Sequence, residues 1–132
     1  MSYSLIMMKK VDRFELGTKT RIAVLGKKAA VRGVIPRTDF NQPMRDYLTE
    51  SLWGIIMSRP GISKKTRMLV NVAVLAAIDR PIELKRYVRG AIRNGATKEE
   101  IREVLLQVAG YCGAPCGIEA FRTAGEAINE PV

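Results

Sequence analysis

The sequence predicts an all-α fold, a helical bundle of about six helices in a single domain, on three observations. Apolar residues recur every three or four positions after residue 39, which is the period of an amphipathic helix. Helix start and stop signals separate these stretches, and no segment shows the alternating pattern of a strand. Because 132 residues is a typical domain length, we expect one domain at residues 13–132. Residues 1–12 would form an N-terminal extension whose order the sequence leaves open.

The first third of the domain carries the weakest helix signals. Residues 13–31 are compatible with one helix, although Gly17 and Gly26 both lower helix propensity. A second helix begins at Asp39, which forms a capping-box pattern with Gln42. Its apolar residues repeat at helical spacing up to Ile56, and proline and glycine at positions 60 and 61 then end it.

The middle of the chain predicts two further helices. Ser63 is a helix-start residue, and residues 68–78 are apolar almost all round, which is typical of a helix buried in a bundle. Pro81 interrupts the pattern. The next helix carries an apolar stripe that includes Leu84 and Val88, and it ends at the Asn94-Gly95 pair.

Two helices complete the predicted bundle. Thr97 and Glu100 form a capping box, and the helix they open has an apolar face that ends with Cys112. Residues 113–115 mark a turn, since Pro115 is tolerated in a first helical turn. The stripe of the last helix consists of Ile118, Phe121, Ala124 and Ile128.

The net charge of +9 is concentrated near the N-terminus, where residues 1–39 carry nine basic and three acidic side chains. Such a surplus can bind nucleic acid, an anionic membrane surface or small anions, and it can also be a solvated surface. Aromatic residues make up only 6% of the chain, which disfavours a base-stacking platform and hence nucleic acid. Binding of small anions and a solvated surface both remain open on the charge pattern alone.

Several other classes of protein are disfavoured. The longest apolar run is eleven residues and contains Asn71, too short to span a bilayer, and the first residues lack the pattern of a signal peptide. We therefore expect a cytoplasmic protein without a membrane partner. Cys112 and Cys116 are expected to be free thiols. The chain has no histidine, and the two thiols have no partner cluster of other metal ligands, so we expect no metal site.

Three segments together resemble the carboxymuconolactone decarboxylase family, including its Gly-x-Pro turn before the last helix. The resemblance covers roughly residues 15–128. The segments are Trp53-Gly54 followed by Ser58-Arg59-Pro60-Gly61-Ile62 and Arg67; Glu83-Leu84 followed by Gly90-Ala91, Asn94-Gly95-Ala96-Thr97 and Glu100-Ile101; and Gln107 followed by Tyr111-Cys112-Gly113-Ala114-Pro115. The resemblance implies an alkylhydroperoxidase-D-like bundle that assembles into a homo-oligomer, a hexamer or a trimer.

The same resemblance implies candidate catalytic residues. The peroxidase branch of the superfamily carries Cys-x-x-Cys-x-x-x-His, and aligning on Ala91 and Gly95 places Arg80 and Glu83 at the cysteines, so thiol peroxidase chemistry is absent. The decarboxylase branch carries Glu-x-x-x-His, and here Glu83 is kept while Tyr87 replaces the histidine. A tyrosine could still donate a proton, with Glu83 one turn away orienting it. Alternatively, Tyr87 is a core residue.

The candidate substrate-binding residues are Arg67, Trp53, Glu50 and Cys116. Arg67 occupies the family's arginine position and could pair with a substrate carboxylate, or form a structural ion pair with Glu83 or Glu50. Trp53 either lines the pocket or packs between helices. The helix dipole could lower the pKa of Cys116.

The resemblance implies a cofactor-independent, carboxymuconolactone decarboxylase-like lyase acting on a small anionic cyclic compound. The alternative is a catalytically degenerate family member that serves as a ligand-binding or scaffold oligomer.

Overall fold

Seven α-helices and one π-helical segment make up residues 11–130, the part of the chain that this computed structural model describes. No strand occurs in that range, so the predicted all-α class is confirmed. None of its helices is both long and apolar enough to cross a bilayer. The elements are α1 (Arg13–Leu25), α2 (Lys27–Arg32), α3 (Gln42–Leu48), the π-helical segment Thr49–Ile56, α4 (Lys64–Ala77), α5 (Pro81–Arg93), α6 (Lys98–Cys112) and α7 (Ala114–Asn129).

The helices are distributed over two compact units. The first unit comprises residues 11–21 and 37–59, and the second comprises residues 22–36 and 60–130 within the described range. Residues 1–10 of the predicted N-terminal extension lie outside the described residues.

In the first unit, α1 and the π-helical segment approach each other at two glycines. A Cβ atom added to Gly17 would lie 1.8 Å from the carbonyl oxygen of Thr49. One added to Gly54 would lie 2.3 Å from the carbonyl oxygen of Arg13. The Arg13 guanidinium also donates a hydrogen bond to the Gly54 carbonyl, at 3.2 Å. Gly17 therefore serves close backbone packing inside a continuous helix.

Gly26 separates α1 from α2, so the prediction of one helix over residues 13–31 is wrong at this point. Its φ angle of 84° lies in the left-handed region, which a residue with a side chain rarely adopts. Just before this break, the side-chain amide of Asn94 donates to the carbonyl oxygen of Val24, at 2.8 Å. This hydrogen bond attaches the end of α1 to the end of α5.

The start of α3 also differs from the predicted capping box. Thr38 and Asn41 exchange hydrogen bonds: the Asn41 N–H donates to the Thr38 hydroxyl at 3.2 Å, and the Thr38 N–H donates to the Asn41 side-chain oxygen at 3.1 Å. The Gln42 side chain instead donates to Asp46, one turn ahead, at 2.7 Å. The reciprocal hydrogen bonds are therefore displaced one residue from the predicted pair, and Asn41, the N-cap residue of α3, makes no side-chain capping hydrogen bond to the helix.

Helices α4 to α7 form the core of the second unit, and their predicted starts are confirmed. The Ser63 hydroxyl accepts a hydrogen bond from the Thr66 N–H, and Thr97 and Glu100 form a complete capping box. Fully or nearly fully buried side chains include Met68, Val72 and Ala76 on α4, Leu84, Val88 and Ala91 on α5, Ile101, Leu105 and Val108 on α6, and Ala120, Ala124 and Ala127 on α7.

Several apolar positions that were predicted to be buried are exposed. Val70 and Val74 on α4 and Ile78 directly after it follow one another at four-residue intervals, and each is about half exposed. The predicted all-round burial of this helix is therefore wrong for the chain by itself. Ile118 on α7 is 68% exposed, and Cys112 is exposed rather than part of the core.

Candidate functional site

Glu83 and Tyr87, the predicted catalytic pair, lie one turn apart on α5. Both side chains are partly buried. Residues four apart on a helix share a face, and this face adjoins the buried stripe formed by Leu84 and Val88. The pair therefore lies at the margin of the core of the second unit, where a polar group keeps access to solvent but is surrounded by apolar residues on one side.

Arg67 lies in the first turn of α4, the helix that packs against α5. Its side chain is partly buried, and its Nε atom is fully removed from solvent. Within the second unit the structure thus brings the helices of Arg67, Glu83 and Tyr87 into direct contact.

Cys116 lies in the first turn of α7, and its surroundings oppose the expected reactivity. The thiol donates a hydrogen bond to the carbonyl oxygen of Ala76, at 3.2 Å. Burial, and then the neighbouring Cys112 thiol, raise the pKa of Cys116. The expectation that the helix dipole lowers this pKa is therefore wrong. A thiol held in its neutral form is a poor nucleophile.

A small cavity of about 10 Å³ adjoins Cys116. Its lining includes Asp79 and Arg80 at the start of α5 and Glu119 on α7. A volume of this size accommodates about one water molecule. The cavity is too small for a carboxylic acid substrate.

Trp53 and Glu50, the remaining predicted binding residues, lie on the π-helical segment of the first unit. Trp53 is only 3% exposed, and the guanidinium carbon of Arg21 lies 5.6 Å from the centroid of its ring. This geometry is a cation–π contact and gives Trp53 a packing role. Glu50 is exposed.

A much larger concave surface lies elsewhere on the second unit, between residues 25–36 and α5. We call it the basic groove. Its volume is about 1160 Å³. Its charged lining residues are Lys27, Lys28, Arg32, Lys85, Arg86, Arg89, Arg93 and Glu130. No sequence motif predicted this groove. The repeat of basic residues at positions 85, 86, 89 and 93 was the signal that could have indicated it.

Comparison with known proteins identifies the family. The family model described as "Carboxymuconolactone decarboxylase family" matches residues 42–126, which is more than half of the chain. The chain belongs to this family. The matched segment contains all six predicted site residues, whereas residues 25–36, which form one wall of the basic groove, lie outside it.

Two individual relatives align over nearly the whole chain, and a third aligns over a little more than half of it. A 4-carboxymuconolactone decarboxylase of Acinetobacter baylyi is 36% identical over 123 residues, covering 93% of this chain and 92% of the relative. The nitrosuccinic acid decarboxylase npaB of Metarhizium robertsii is 38% identical over 119 residues, covering 90% of this chain and 83% of the relative. An uncharacterized 15.0 kDa protein of Paracoccus denitrificans is 32% identical over 80 residues, covering 58% of this chain and 59% of the relative.

Within residues 11–130, no three cysteine, aspartate or glutamate side chains come together as a metal site would require. The polar groups at the candidate site are the Tyr87 phenol, the Glu83 carboxylate and the Arg67 guanidinium. The phenol can donate a proton, and the guanidinium can bind an anion.

Proposed function

We propose that the protein is a cofactor-independent decarboxylase of small dicarboxylic acids. The observation that carries this proposal is the alignment, over at least 90% of the chain, with two relatives that are both named as decarboxylases. Their names specify two different substrates, 4-carboxymuconolactone and nitrosuccinic acid.

The two named substrates share a chemical feature that defines the proposed substrate class. Each molecule has two carboxylates, and one of them is attached to a carbon that is activated by an electron-withdrawing group. That group is the conjugated lactone carbonyl in one molecule and the nitro group in the other. When the carboxylate leaves as carbon dioxide, the electrons of the broken C–C bond can pass to an oxygen of that group. The resulting anion then takes up one proton.

Three side chains of the second unit are suited to these steps. The Arg67 guanidinium would bind the carboxylate that is retained, because its planar donors match a carboxylate. The Tyr87 hydroxyl would stabilise the developing oxyanion by a hydrogen bond, or supply the proton. Glu83, one turn away on α5, would orient the tyrosine. The contact between α4 and α5 supports this assignment.

The test is a comparison of two tyrosine variants. Purified wild-type protein is incubated with carboxymuconolactone and with nitrosuccinic acid, and carbon dioxide release is measured. We expect Tyr87→Phe to lower kcat by about 10²-fold or more, the usual contribution of a general acid. Tyr111→Phe is the matched control, because Tyr111 is 85% exposed on α6, and it should turn over at the wild-type rate.

Two other results would change the assignment. Full activity of Tyr87→Phe would remove the tyrosine from the mechanism while leaving the decarboxylase proposal intact. Absence of turnover by the wild-type protein with both acids, together with retained binding of either, would favour the ligand-binding or scaffold role.

We further propose that the working form is a homo-oligomer. The exposed apolar side chains on α4 and α7 support this proposal, since contiguous apolar surface on a small protein commonly marks a subunit interface.

A further inference from the structure

The basic groove has a large excess of positive charge. Seven of its lining residues are lysine or arginine, and Glu130 is the one carboxylate among the described lining residues. Like charges at this density repel one another unless anions neutralise them. The groove is therefore a strong candidate for binding a polyanion.

The internal carboxylate neutralises little of this charge. Glu130 forms ion pairs with Lys85 and with Arg89, the latter at 3.1 Å. The hydrogen bond from Lys85 lowers the pKa of Glu130, so it stays ionised at neutral pH. On the opposite wall, Lys27 and Lys28 form no ion pair with any residue of the described range. The charges of these two lysines thus remain available to a ligand.

The cations of α5 form a row rather than a cluster. Lys85, Arg89 and Arg93 follow at intervals of four residues and lie on one face of the helix. At a rise of about 1.5 Å per residue, the row extends over about 12 Å. A ligand that contacts the whole row must carry charges at several positions. The groove volume of about 1160 Å³ is somewhat above the range of about 300–1,000 Å³ that is usual for small-molecule pockets.

Aliphatic side chains form the rest of the groove. They are Leu25, Val34, Ile35, Pro36 and Ile82. No aromatic residue occurs among the described lining residues, so the groove lacks the surfaces on which nucleobases stack. The apolar wall instead fits a saturated or olefinic chain, which would bury its surface against these residues.

We infer that the basic groove is a binding site for an organic pyrophosphate or polyphosphate with an aliphatic body. Phosphate groups carry more charge per length than carboxylates and pair well with arginine. This site is separate from the candidate catalytic residues, because positions 82, 85, 86, 89 and 93 face the groove while Glu83 and Tyr87 lie on the adjoining face of α5. Binding here is measured without turnover, so it does not depend on the proposed decarboxylase activity.

Isothermal titration calorimetry with two probes tests this site. Inorganic pyrophosphate represents the charged group alone, and geranyl pyrophosphate adds an aliphatic body. We expect both to bind the wild-type protein, with geranyl pyrophosphate at least about tenfold tighter because of the apolar wall. Both affinities should fall as salt is raised, since the contacts are largely solvent-accessible ion pairs.

Two triple variants with the same loss of charge separate the groove from the general surface. Lys27→Gln/Lys28→Gln/Arg93→Gln should weaken pyrophosphate binding by at least about tenfold. Lys64→Gln/Lys98→Gln/Arg102→Gln, which removes three exposed cations outside the groove, should change it by less than about twofold. Circular dichroism and thermal unfolding verify that both variants are folded.

A third variant tests the aliphatic wall. Ile35→Ser/Ile82→Ser replaces two exposed groove residues. It should abolish the preference for geranyl pyrophosphate while leaving inorganic pyrophosphate binding unchanged.

Four results would each overturn the inference. They are the absence of binding by both probes at low salt, equal weakening by the two triple variants, equally tight binding of succinate and pyrophosphate, and displacement of geranyl pyrophosphate from the groove by a single-stranded oligonucleotide at lower concentration. The third would assign the groove to carboxylates, and the fourth would assign it to nucleic acid.

Discussion

Gly17 and Gly26 are both glycines within the helix predicted for residues 13–31, yet they have opposite structural roles. Gly17 lies within α1, and its lack of a side chain leaves space for the Thr49 carbonyl oxygen. Gly26 has a positive φ angle and ends α1. Helix propensity is identical at both positions, because it is a property of the residue alone. The difference arises from a contact with a residue 32 positions away. The residues next to Gly17 in the sequence do not reveal this tertiary contact.

Gly17 and Gly110 both lie within helices but have different surroundings, so alanine substitutions at the two positions should change the free energy of unfolding in opposite directions. Gly17→Ala should destabilise the protein by about 2 kcal/mol or more, because its Cβ would collide with the Thr49 carbonyl oxygen. Gly110→Ala should stabilise it by up to about 1 kcal/mol, because Gly110 lies within α6 with nothing within 4 Å of an added Cβ. Urea denaturation measures both changes. A stabilising Gly17→Ala would show that α1 and the π-helical segment separate readily.

Helix starts were predicted correctly where the sequence offers one candidate capping pair. The start of α3, where several capping residues lie close together, was not. Ser63 and Thr97 have no rival nearby, so their caps were correctly identified. Near α3, Thr38, Asp39 and Asn41 are all good capping residues, and in the structure the first and last of them hydrogen-bond each other just before the helix. Propensity alone does not rank such neighbours, because the choice depends on how the preceding chain enters the helix.

The capping box of α6 predicts a pH-dependent contribution to stability. A hydrogen bond from Lys65, with others from Thr97, lowers the pKa of Glu100 in the folded state. A lowered folded-state pKa adds stability above the unfolded pKa, and this stability is lost as the pH falls through the folded pKa. Glu100→Gln keeps a capping side chain but removes the charge. We expect it to be less stable than wild type at pH 7, with the difference shrinking as the pH falls below the ordinary glutamate pKa of about 4.3.

Thermal unfolding at several pH values measures this difference. Glu103→Gln, at an exposed position of the same helix, is the control and should show little pH-dependent difference from wild type. A Glu100→Gln deficit of the same size at pH 7 and at pH 3 would contradict a charge-based contribution.

In the candidate site, too, some features follow from the local sequence and others arise only from the tertiary structure. Spacing along α5 was sufficient to place Glu83 and Tyr87 on one face, because helical geometry fixes that relation. The basic groove was not predicted, since it exists only where residues 25–36 approach the outer face of α5. Lys85 and Arg93 therefore acquire significance only in the folded chain.

For the molecule as a whole, hydrophobic periodicity predicted that more apolar side chains would be buried than the single chain buries. Val70, Val74 and Ile118 belong to regular apolar patterns but are exposed. A chain of 132 residues has a high ratio of surface to volume, so it hides a smaller share of its apolar groups than a larger protein. Sequence periodicity does not distinguish a residue buried in its own core from one buried against a second subunit.

Self-association is the prediction that follows from these exposed residues. We expect light scattering after size exclusion to give a mass that is a multiple of 14.7 kDa. Ile118→Glu should weaken assembly by at least about tenfold, because burying an unpaired carboxylate in an apolar interface is unfavourable. Gln107→Glu makes the same change in charge at an exposed position of α6 and serves as the control. A wild-type protein that elutes at the mass of one chain at all concentrations would show that these apolar faces remain in solvent, and the homo-oligomer proposal would then be wrong.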